Sequence, residues 1–85
     1  MNKFSDILDT CKLAINVHYP DAVLSIYTNK KRGIVRAVKA WHDGGMITEA
    51  YEVPMSAEEY CHLRKNLRYM QHDESTGIMC YTIFR

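Results

Sequence analysis

Five basic side chains crowd one short stretch of this chain: Lys30, Lys31, Arg32, Arg36 and Lys39. No acidic residue stands between Thr28 and His42. Such a stretch can do electrostatic chemistry, since lysine and arginine grip phosphate oxygens or acidic partner surfaces through charge-assisted hydrogen bonds. The whole chain carries a net charge of only +1, so its positive charge is segregated rather than general. A second cluster, Arg64, Lys65 and Arg68, is spaced to share one face of a helix. Plainer roles suit the same residues: a charged hairpin tip that resists edge-to-edge aggregation, and the solvated side of an amphipathic helix. Tyr27 and Trp41 flank the basic strand, where they could stack unpaired bases or fill a core or dimer seam.

Other chemistries find less. Asp6 and Asp9 fall on the solvent side of a helical pattern, where paired carboxylates usually serve hydration. Cys11 sits at core spacing, and a reactive thiol needs an accessible, electropositive niche. Cys61 and His62 are neighbours on a helix, so their side chains diverge and cannot work as nucleophile and base. The 3 cysteines and 4 histidines show no CxxC or HxxxH spacing for a metal. The glycines match neither a P-loop nor a dinucleotide fingerprint. A non-enzymatic protein with no metal and no cofactor is therefore expected.

A chain of 85 residues, 47% hydrophobic and 25% charged, has room for one globular core, so residues 1–85 read as a single domain. The odd number of cysteines, set in periodic apolar segments, points to buried reduced thiols and a cytoplasmic setting. The N-terminus enters an amphipathic pattern at once, without a signal-peptide core. No run approaches the ~18 apolar residues of a membrane helix. The 6 tyrosines and 1 tryptophan exceed what so small an interior needs, and an open sheet leaves exposed edges; both point to a homodimer.

The positioning elements follow from periodicity. Phe4, Ile7, Leu8, Cys11, Ala14, Ile15 and His18 recur at helical spacing and predict a first helix, capped by Ser5 or Asn2 and stopped at Tyr19-Pro20-Asp21. Residues 22–28 alternate as a strand, and the basic turn ends on Gly33, suited to a positive φ. Residues 34–42 make the next strand, with Arg36 and Lys39 on opposite faces unless a bulge between them shifts the phase. Asp43-Gly44-Gly45 signals a hairpin into a strand over 46–53. Ser56-Ala57-Glu58-Glu59 is a capping box with Met55 and Tyr60 at staple spacing, opening a second helix whose stripe runs Tyr60, Leu63, Leu67, Met70. Residues 78–85 close the chain as a strand. The expected class is α+β, in the order α-β-β-β-α-β, with two helices packed on one face of an antiparallel sheet.

Over residues 2–72 this order resembles the double-stranded RNA-binding domain. That family normally opens its second helix with lysines, where this chain has Ala57-Glu58-Glu59, so double-strand recognition does not carry over. Its length, the opening Met1-Asn2-Lys3-Phe4-Ser5-Asp6 and the Asn29-Lys30-Lys31-Arg32-Gly33 turn also resemble the small phage counter-defence proteins, in particular TifA-like inhibitors of the ToxN endoribonuclease toxin. That resemblance implies a non-enzymatic RNA-binding protein of the host cytoplasm that neutralises a toxin nuclease. No site residue transfers from it.

The combined expectation is a dimeric RNA-binding inhibitor. Lys30, Lys31, Arg32, Arg36 and Lys39 would hold phosphates, with Arg64, Lys65 and Arg68 adding secondary contacts. The alternative is a protein-interaction module whose basic surface meets an acidic partner without nucleic acid.

Overall fold

Residues that alternate in sequence alternate across a sheet, and here the sheet is covered on both sides. The computed structural model describes residues 4–66, 71–73 and 78–82. They form α1 (Ser5–Thr10), β1 (Lys12–His18), β2 (Ala22–Asn29), β3 (Ile34–Asp43), β4 (Met46–Val53), α2 (Ala57–Asn66), β5 (Gln71–Asp73) and β6 (Ile78–Thr82). The class is α+β, as expected. The strands lie in one sheet ordered β4-β3-β2-β1-β6-β5. β1 to β4 form an antiparallel meander, whereas β1 and β6 run parallel, pairing Ile15 to His18 with Met79 to Thr82.

The predicted first helix is half helix and half strand. α1 has only six residues, and Cys11 leaves it in an extended conformation while its N–H still donates to the Ile7 carbonyl at 2.8 Å. So short a helix has little stability of its own. From Lys12 onward the strand alternation wins: Ile15 and Val17 are fully buried, both β-branched, and bonded to strands on either side. A bulge between Leu13 and Ile15 adjusts the phase. Phe4, not Ser5, occupies the N-cap position and makes no side-chain cap. Tyr19-Pro20-Asp21 is consequently a turn between strands, closed by the Tyr19 N–H donating to the Ala22 carbonyl at 2.8 Å.

The two helices pack on opposite faces, not on one. Ala37 and Val38 are consecutive in β3 and both buried, which requires cover on each side. Tyr60 and Leu63 of α2 pack over Ile15, Val17, Leu24, Ile26 and Ala37. Ile7 of α1 packs with Cys11 and Val38, beside Tyr27, Ile34 and Ala50. No bulge separates Arg36 from Lys39; the β3–β4 irregularity falls between Trp41 and His42.

The turns and the second helix start match their residues. Gly33, Gly44 and Gly45 all have positive φ (66°, 59° and 86°), the first ending the basic turn and the others linking β3 to β4. The Glu59 N–H donates to Ser56 Oγ at 3.1 Å, and the Ser56 N–H donates to Glu59 Oε1 at 3.3 Å, completing the capping box. α2 is described over Ala57–Asn66 and β5 over Gln71–Asp73; Leu67 and Met70 of the predicted apolar stripe lie outside the described residues.

Candidate nucleic-acid interface

Four cations from separate parts of the chain converge on one groove. Lys12 begins β1, Lys30 and Lys31 sit on the turn after β2, and Arg64 lies on α2. The groove encloses about 560 Å³, and Thr10, Leu13, Ala14, Thr28, Asn29 and Tyr60 complete its lining, with no carboxylate among them. Local bonds hold each wall. The Asn29 amide donates to the Thr10 carbonyl at 2.7 Å, tying the turn to the end of α1. The Arg32 N–H donates to Asn29 Oδ1 at 3.2 Å and shapes the turn. Arg64 lies 5.7 Å from the ring centre of Tyr60, one helical turn earlier, which steadies its guanidinium at the rim. Cations over an apolar floor can take phosphate oxygens at the rim and sugar or base surfaces beneath.

The remaining predicted cations divide. Arg32 and Lys65 are exposed next to the groove but do not line it. Lys39 lies on the same sheet face as α2 but towards the other end of the strands. Its ammonium is 5.0 Å from the Tyr19 ring centre and 5.1 Å from that of Trp41. Trp41 in turn meets Tyr51 edge-on, with ring centres 6.2 Å apart. Tyr27, by contrast, packs with the cluster under α1. Arg68 lies outside the described residues.

Arg36 is on the opposite face and is occupied. Its Nε and Nη2 donate to Glu52 at 2.8 and 2.6 Å, and its Nη1 donates to Asp6 at 2.7 Å. This network joins α1 to β3 and β4. Hydrogen bonding to the guanidinium holds the Glu52 and Asp6 carboxyls below their usual range, and Glu52, then Asp6, hold the Arg36 proton more tightly. The predicted phosphate ligand is thus part of an internal ion-pair network. The sequence shows its charge but not its partners.

Lys12 and Tyr60 went unrecognised as groove residues. Lys12 faces Thr28 across the β1–β2 ladder, beside the basic turn, and only a strand over residues 12–18 brings it there. Cys11 is buried, as expected, while Cys61 is exposed. Among the described residues no group of three His, Cys, Asp or Glu side chains could hold a metal ion, and no helix is long and apolar enough to cross a membrane. No protein-family model, curated protein or solved structure matches the chain.

Proposed function

We propose that this chain is a small, non-enzymatic, cytoplasmic RNA-binding protein that acts by occupancy: it holds RNA in the Lys12–Lys30–Lys31–Arg64 groove. One observation carries this reading: four cations from three distant segments line one groove that no carboxylate lines. The resemblance to phage inhibitors of endoribonuclease toxins gives the occupancy a purpose, namely inhibiting a host toxin or nuclease. Replacing Lys30, Lys31 and Arg64 together by alanine removes three of the four cations. Fluorescence anisotropy with a labelled single-stranded RNA should then show binding lost while the circular dichroism spectrum stays native. Unchanged affinity in a folded triple variant would refute the assignment.

A homodimer belongs to the same proposal. β4 is an outer strand of the sheet, and Met46 and Ile47 at its start are 74% and 70% exposed. Two such edges can pair and cover those side chains. Light scattering should report a dimer that Ile47→Lys dissociates, and a monomer at high micromolar concentration would refute it. The same exposed apolar strand favours a second reading, a protein-interaction module. A purified protein free of nucleic acid at low salt, with an acidic protein partner bound to the basic groove, would decide for it.

A further inference from the structure

We propose that a second groove, on the other flank of α2, docks a segment of a partner protein that combines basic and apolar side chains. This deepens the reading above and rests on it for the kind of partner: a toxin or nuclease that grips RNA phosphates presents lysines and arginines. The second groove has a volume of about 550 Å³ and an apolar floor of Leu24, Met55 and Leu63.

Helical spacing builds its wall. Glu59 and Leu63 stand four residues apart beside Met55, and the exposed Glu58, His62 and Asn66 form the next row out. Glu59 is fixed at the rim by its capping bond with Ser56. Glu58 has no ion-pair partner among the described residues. No lysine or arginine among the described residues lines this groove, whereas four line the other. Lys39 faces Leu24 across the β2–β3 ladder, but its ammonium is turned to Tyr19 and Trp41. α2 is about 10 Å across, comparable to the Debye length at about 0.1 M salt, so each flank keeps its own sign towards a ligand. An apolar floor beneath a carboxylate rim suits leucine and arginine side chains together. Methyl groups and methylene stems meet Leu24 and Leu63, while the guanidinium meets Glu58. Charge complementarity therefore selects a basic protein segment over RNA, which the carboxylates repel.

Fluorescence anisotropy of short labelled peptides on the native chain tests the site. One peptide combines arginine with leucine, one arginine with serine, and one glutamate with leucine. The arginine–leucine peptide should bind about fivefold or more tightly than either of the others. Glu58→Lys should weaken it by a similar factor, and so should Asn66→Lys, which adds charge to the rim without touching the cap. Glu49→Lys, outside this groove, should not. A native circular dichroism spectrum qualifies each variant. Equal binding of the serine or the glutamate peptide overturns the site, as does unchanged affinity in folded Glu58→Lys and Asn66→Lys. Lys30→Ala with Lys31→Ala should weaken RNA binding and keep the peptide; loss of the peptide as well would put it in the basic groove and overturn the proposal. Peptide binding that depends on Glu58, in a chain that binds no RNA, supports this site and overturns the RNA reading instead.

Discussion

Salt should reveal how many groove cations touch phosphate. Each cation that neutralises a phosphate on a single strand contributes a slope of about −0.7 to log affinity against log salt. If Lys12, Lys30, Lys31 and Arg64 all do so, the slope is about −2.8, and affinity falls roughly 50-fold between about 50 and 200 mM salt. Lys30→Ala with Lys31→Ala halves the slope to about −1.4, a fall of only about sevenfold over the same range. Arg36→Met, on the opposite face, leaves it unchanged. Anisotropy titrations of one labelled single-stranded RNA at four or more salt concentrations measure all three proteins. A native slope near zero, or an Arg36→Met slope reduced as far as that of the double lysine variant, would refute the assignment of these residues.

Further outcomes test the fold beneath the site. Ile15→Ala empties a fully buried position and should cost about 2–5 kcal/mol, whereas Leu8→Ala, at a side chain 56% exposed, should cost little; chemical denaturation measures both. Ser56→Ala removes the capping bond to the Glu59 N–H and should cost about 1 kcal/mol, or about 4–8 °C in Tm. Glu52 and Asp6 have carboxyls held below their usual range, so their stabilising contribution is complete above the ordinary carboxylate pKa and is lost as pH falls through the lowered folded values. Thermal melts should accordingly show Arg36→Met less stable than the native chain at neutral pH, with the gap closing in acid; a gap that widens would contradict the network. Thiol labelling of the native protein followed by mass spectrometry should modify Cys61 and spare Cys11 until unfolding.

Local chemistry made much of this fold legible. Asp43-Gly44-Gly45, Gly33 and the Ser56–Glu59 capping box each specify a backbone geometry within a few residues, and each gives it. Residues 12–18 read as helix yet form β1 because Ile15 fits both periods: with Cys11 and Ala14 it marks a helix face, with Leu13 and Val17 a strand face. The choice depends on bonds to β2 and β6, and the β6 pairing joins opposite ends of the chain. No local pattern contains it. The candidate site divides in the same way. Lys30, Lys31 and Arg64 were visible as cations, but their meeting with Lys12 depends on that misread strand. That Arg36 and Lys39 face opposite ways followed from their odd spacing. That Asp6 and Glu52 hold Arg36 did not, because α1, β3 and β4 must first assemble.

Photo-crosslinking single-stranded RNA to the native protein, with the linked peptides identified by mass spectrometry, tests the location of the binding surface most directly. Cross-links should fall on peptides carrying Lys12, Lys30, Lys31, Tyr60 and Arg64, the residues that line the groove. Cross-links confined to the α1 face around Asp6, Arg36 and Glu52, or none under conditions where RNA binds, would contradict the account.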